Sequence, residues 1–104
     1  MVTFETFKKI ALSFPETSEQ PHFEKPSFRA GKKIFATYDQ KKNLASLKLN
    51  EIDQSVFTAF NPTIIFPVAN KWGKQGWTFF DLTAVREDLF TDALSLAYQH
   101  VWNK

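Results

Sequence analysis

No cysteine occurs among the 104 residues of this chain. That excludes disulfides, thiolate metal sites and cysteine nucleophiles, and it suits a reducing compartment, so a cytoplasmic location is expected. Glycine is nearly as scarce, present only as Gly31, Gly73 and Gly76. With so few glycines at those positions, neither a G-x-G-x-x-G nor a G-x-x-x-x-G-K-[ST] phosphate loop can be written. No apolar run approaches the ~20 residues needed to span a bilayer. The start, Met1-Val2-Thr3-Phe4-Glu5, lacks the basic-then-apolar order of a signal peptide, so no membrane partner is expected. Charge is also slight, formally +2, which by itself is too little to argue for nucleic acid.

Phenylalanine, by contrast, is abundant, with twelve copies beside three Trp, so aromatic packing must dominate the core. The length suits one domain, residues 1–104, with a single two-layer core and no room for a separate cofactor domain. Charge is unevenly placed. Between Lys25 and Lys48 lie Arg29, Lys32, Lys33, Lys41 and Lys42, opposed only by Asp39. The small net charge therefore hides a local basic surface.

Phe4, Phe7, Ile10 or Ala11, and Phe14 recur at helical spacing, with Thr3 as cap and Pro15 as stop. Residues 16–26, punctuated by Pro21 and Pro26, read as a loop. Three short strands are predicted next: Ser27 to Ala30, Lys33 to Tyr38 after a Gly31-Lys32 turn, and Leu44 to Leu49. Strict alternation puts Ile34, Ala36 and Tyr38 on one face of the second strand and Lys33, Phe35 and Thr37 on the other. Asn50 caps a short helix that ends at Asn61-Pro62, and Ile64 to Phe66 is a brief extended segment. Trp77 to Leu82 forms the last strand, and an amphipathic helix runs from about Val85 to Trp102. The predicted fold is α+β, two-layered, a largely antiparallel sheet with the N- and C-terminal helices on one face.

Asn70-Lys71-Trp72-Gly73-Lys74-Gln75-Gly76-Trp77 is the most distinctive stretch. Two Trp frame a short basic loop holding two of the three glycines, which makes it either a structural clamp or a binding tip. If the alternation holds, Lys33, Phe35, Lys48, Trp77 and Phe79 share the uncovered sheet face, joined by Arg29. Flat rings stack bases and cations meet phosphates, so such a face suits nucleic acid. A merely solvated face is the alternative reading. His22, Lys25 and Arg29 could instead converge on a small anion beside Trp72, or Lys25 and Arg29 could pair with Glu24 or an acid of the last helix. His22 and His100 share no metal-ligand spacing, and Ser13, Ser27 and Ser46 lie in no nucleophile elbow, so no catalytic or metal residue is assigned.

Pro21-His22-Phe23-x-Lys25-Pro26-Ser27-Phe28-Arg29, Lys33-Ile34-Phe35-Ala36, Leu47-Lys48-Leu49 and Trp72-Gly73-Lys74-x-Gly76-Trp77, with Ala11-Leu12-Ser13-Phe14-Pro15 before them, resemble the MmcQ/YjbR-like family over nearly the whole chain. The resemblance implies a CyaY-like (frataxin-like) fold, a proposed double-wing DNA-binding role and no enzymatic activity. Frataxins hold iron through an acid-rich first helix. Here that helix reads Phe4-Glu5-Thr6-Phe7-Lys8-Lys9, with one acid and two bases, so metal binding does not carry over. The expected protein is a monomer without cofactor that binds DNA or single-stranded nucleic acid through Lys25, Arg29, Lys32, Lys33, Lys48, Lys71, Trp72, Lys74 and Trp77. A protein-interaction adaptor and a small-anion binder on His22, Lys25 and Arg29 are the alternatives.

Overall fold

A computed structural model describes residues 1–102. The chain runs α1 (Phe4–Ser13), β1 (Thr17–His22), β2 (Lys25–Ala30), β3 (Lys33–Asp39), β4 (Leu44–Lys48), α2 (Glu51–Phe60), β5 (Ile65–Pro67), α3 (Lys71–Lys74), β6 (Trp77–Asp81) and α4 (Glu87–Trp102). All six strands form one antiparallel sheet in the order β1-β2-β3-β4-β6-β5. The long helices α1, α2 and α4 pack on one face, and no long helix covers the other, which is the expected α+β arrangement. Among the described residues no helix is long and apolar enough to cross a membrane.

Helix ends follow local chemistry. The Thr3 hydroxyl accepts the Thr6 N–H at 3.1 Å to start α1, and the Asn50 side-chain oxygen accepts the Asp53 N–H at 2.7 Å to start α2. Each satisfies a backbone donor that the helix cannot, worth about 1 kcal/mol. The buried stripes of α1 and α4 then meet the sheet. Phe7 lies 5.0 Å from Phe28 and edge-on to Phe90 at 5.2 Å, and Phe90 continues to Phe80 at 5.8 Å. Edge-on pairs of this kind add about 0.5–1.5 kcal/mol beyond the area they bury.

Three expectations need correction. First, the stretch read as a loop contains β1, and β2 begins at Lys25 rather than Ser27. The prolines conceal this hairpin without preventing it. Pro21 and Pro26 face each other one pair from the turn, where the alternation of antiparallel pairs does not require their missing N–H groups. Pro21 also lies on an edge strand.

Second, the alternation in β3 breaks. Phe28 pairs with Ala36 but Arg29 pairs with Ile34, so Phe35 is an inserted bulge residue. The bulge turns both Phe35 and Ala36 into the core, where each is fully buried. Phe35 sits edge-on to Tyr98 at 5.7 Å, and Ile34 moves to the bare face in its place. Third, the Trp-framed segment contains a single helical turn, α3. Of its two glycines Gly76 has positive φ (107°), and a Cβ on it would lie 1.9 Å from the Leu49 carbonyl oxygen. Gly73 is required for close approach instead, because a Cβ on it would lie 2.0 Å from the Val68 oxygen.

The bulge makes an asymmetry measurable in urea denaturation. Phe35→Ala should cost about 3–5 kcal/mol, as for a ring removed from a packed interior. Ile34→Ala should cost markedly less. The reverse order, a large loss at Ile34 and a small one at Phe35, would mean that strict alternation, with Phe35 facing solvent, is correct after all.

Candidate functional site

Strand register decides what the bare face displays. Thr37 of β3, Ser46 of β4, Phe79 of β6 and Phe66 of β5 line up across four adjacent strands. The next row holds Lys48 opposite Trp77, with Ile34 opposite Arg29 farther along. At one side the β1–β2 hairpin brings His22, Phe23 and Lys25 to this face, and at the other α3 brings Trp72. Between them lies a cleft of about 370 Å³, floored by Thr37, Ser46, Trp77 and Phe79. Its size and mostly apolar lining fall within the range of small-molecule sites.

The hairpin tip is strained. Phe23 and Glu24 both have positive φ, 51° and 67°, the backbone of a type I′ turn. Asn-Gly would fill those positions easily, whereas a bulky side chain there costs about 1–2 kcal/mol. Phe23 is nonetheless 87% exposed, so its ring contributes little to the core. It stands edge-on to His22 at 4.6 Å beside the cleft. Across the cleft, Asn70 leads into α3 with φ 69° and ψ −155°, a region occupied almost only by glycine. Both flanks of the cleft thus hold backbone that the surrounding structure must maintain.

Gln54 of α2 anchors the second flank. Its Nε2 donates to the Gly73 carbonyl at 2.9 Å and to the Thr78 hydroxyl at 3.1 Å, tying α3 and β6 to the helical layer. Val68 N–H donates to the Trp77 carbonyl at 2.9 Å, which closes the segment that carries Trp72. Trp72 remains 51% exposed, with the Lys71 ammonium 5.7 Å from its ring centre.

Charges divide between the cleft and a second depression beside it. Among the described residues Asp39 is the only carboxylate lining the cleft, and the Lys25 ammonium meets it at 3.2 Å. Burial pushes the Asp39 pKa up, but the Lys25 ammonium and the N–H groups of Lys42 and Lys41 together outweigh it and hold the carboxyl below its ordinary value. The Thr37 and Ser46 hydroxyls hydrogen-bond to each other on the floor. The second depression lies where β2 and β4 end and β3 and β6 begin, next to the end of α4. Arg29, Lys32, Lys33 and Lys48 line it, together with Trp77, and no Asp or Glu among the described residues does so. Lys48 Nζ lies 5.7 Å from the Trp77 ring centre. Among the described residues Lys32 and Lys33 make no ion pair, and the buried Nε of Arg29 has no hydrogen-bond partner.

The residues singled out from sequence therefore separate into groups. Arg29, Lys32, Lys33, Lys48 and Trp77 gather at the basic depression. His22, Lys25, Trp72 and Trp77 line the cleft, while the exposed Lys71 and Lys74 stand on α3 and line neither. His22 borders both depressions, but Lys25 and Arg29 line different ones, and the partner of Lys25 is Asp39, neither Glu24 nor an acid of α4. Phe35, expected on this face, lies in the core. Phe23, Thr37, Asp39 and Gln54 were not singled out as site residues. Paired prolines flanking a two-residue turn were the available sign of the hairpin, but the roles of Asp39 and Gln54 depend on contacts distant in sequence. Among the described residues no three His, Cys, Asp or Glu group closely enough to hold a metal ion.

Two outcomes test this geometry. Glu24→Gly should raise the melting temperature by relieving one strained turn residue, worth about 1 kcal/mol. For the ion pair, a lowered native pKa at Asp39 means stability that is full above its unfolded pKa and lost as pH falls through the native value. Lys25→Met should move the Asp39 titration upward in NMR and lower stability at neutral pH by no more than about 1 kcal/mol, a solvent-screened pair being weak. The gap between the variant and the parent should shrink in acid, where Asp39 protonates.

Comparison with curated proteins finds no match. Among solved structures, the chain is similar to the crystal structure of Deinococcus radiodurans protein DR2400, with the family-model domain DUF419, at a TM-score of 0.88 and 22% identity. That match covers 100% of this chain and 81% of the other, and at this identity it speaks for the fold alone. The family model YjbR matches residues 12–100. The α+β fold is thus shared with a solved structure, and the chain belongs to the YjbR family.

Proposed function

We propose that the bare sheet face binds single-stranded nucleic acid, with bases on the aromatic floor and phosphates at the basic end, and that the protein acts as a binding module. One observation carries this reading. Arg29, Lys32, Lys33 and Lys48 gather around the half-buried Trp77, which also floors the aromatic cleft, so cations and rings are neighbours on one surface. Stacking contributes about 1–3 kcal/mol per base and tolerates any sequence. A single strand can turn its bases toward a concave floor. A duplex presents its backbone and keeps its bases stacked inside, so it would meet the cations without using the rings.

The test is fluorescence anisotropy with labelled single- and double-stranded oligonucleotides across a salt series. If all four cations contact phosphates, log affinity should fall against log salt with a slope of about −3 for single strands. Lys33→Ala should make that slope shallower by about 0.7. Trp72→Ala should weaken single-strand binding while leaving the slope alone. No binding at low salt, or binding indifferent to Lys33→Ala and Trp72→Ala alike, would remove the reading. Capture of a protein partner that survives high salt would favour an adaptor instead.

A further inference from the structure

We infer that the aromatic cleft and the basic depression together form a seat for one nucleotide unit, with a nucleobase under Phe23 and Trp72 and its phosphate at Arg29, Lys32 and Lys33. This rests on the nucleic-acid reading and deepens it, because it names a discrete ligand. The two depressions adjoin, since His22, Ile34 and Trp77 line both. A cleft of about 370 Å³ lies at the small end of ligand sites, fit for one nucleoside rather than a run of bases.

Polarity along this seat is ordered. The floor of the cleft carries hydroxyls, and the far depression carries fixed positive charge. Across the Phe35 bulge, Thr37 and Ile34 pair with Ser27 and Arg29, two residues apart on β2, so they stand about 7 Å apart by strand rise, and the basic side chains beyond Ile34 extend that span toward a phosphate. In the Thr37–Ser46 pair one hydroxyl donates to the other, leaving one O–H donor and free lone pairs for the polar edge of a base. Arg29 has unmet donor capacity at its buried Nε, and planar guanidinium groups favour phosphate. The carboxylate of Asp39 in the cleft is neutralised by Lys25 and stands at the end away from the basic depression.

Phe23 supplies the most specific mark. An exposed ring on a left-handed turn residue lowers stability and adds little to the core. Its position opposite Trp72 across the cleft gives it a use, as a movable cover for a flat ligand. A residue serving the ligand at the expense of the turn should behave oppositely in stability and in binding. Phe23→Asn, with a side chain that tolerates the left-handed region, should melt at a higher temperature and bind more weakly.

Titrate nucleoside 5′-monophosphates, the matching nucleosides and inorganic phosphate against the full chain, following tryptophan fluorescence and NMR shifts. Saturable binding of monophosphates is expected, with nucleosides and phosphate at least about tenfold weaker. Phe23→Asn should weaken monophosphate binding by about tenfold while raising the melting temperature. Lys32→Gln with Lys33→Gln, both at exposed positions, should erase the advantage of monophosphate over nucleoside even if Arg29→Gln fails to fold. A 5′-phosphorylated oligonucleotide outcompeting its unphosphorylated twin would support the seat and identify strand ends as its source, whereas equal competition alongside monophosphate binding would support it for free nucleotides. Oligonucleotides that bind while monophosphates fail at millimolar concentration would overturn the seat and leave the broader reading standing. If nothing binds, both fall. Phe23→Asn that gains stability without losing affinity would also overturn the seat as described.

Discussion

Everything on the bare face depends on how the opposite face is packed. Phe7 of α1 and Phe90 of α4 meet Phe28 and Phe80 of the sheet in a connected set of rings, and this contact decides which side of each strand is interior. Aromatic packing in a small core leaves little slack, because a ring neither compresses nor leaves a gap without loss. The bulge at Phe35 follows from that demand. It supplies two consecutive core residues from one strand, so that Phe35 reaches Tyr98 while Ala36 keeps its pairing with Phe28. The same irregularity delivers Ile34 to the bare side, between the two depressions. Core geometry and the outline of the cleft are thus one structural decision.

The bare face is concave because two short segments rise from it, and each is held by different chemistry. The β1–β2 hairpin is an antiparallel ladder closed by a strained turn. The α3 segment is pressed against the body so closely that Gly73 and Gly76 leave no space for a side chain. Gln54 ties it to α2 from below. One flank is therefore fixed by close contact, while the other ends in an exposed ring on an unfavourable backbone. Strained backbone is held on both flanks, at the hairpin tip and at Asn70.

Net charge conceals the electrostatics of the site. A formal +2 spread evenly would attract nothing in particular. The sheet instead gathers four cations in one depression that no Asp or Glu among the described residues lines, and leaves the neighbouring Asp39 neutralised by Lys25. Local field, rather than total charge, is what an anionic ligand meets. The exposed Lys71 and Lys74 add charge outside both depressions.

Local signals in the chain were enough to determine the three long helices, the caps at Thr3 and Asn50, the faces of β4 and β6 and the α+β class, because capping and periodicity act over a few residues. Local signals also marked the Trp-framed segment and the cations of the central strands as surface features. They did not determine β1, since prolines at 21 and 26 look like breaks until their mutual register is known. Nor did they reveal that Phe35 is interior, since a bulge is a compromise between pairing partners remote in sequence. Which cations share a depression, which acid meets Lys25 and which side chain supports the Trp segment were settled only by tertiary structure. Strand order and register bring those groups together, and a period-2 pattern contains neither.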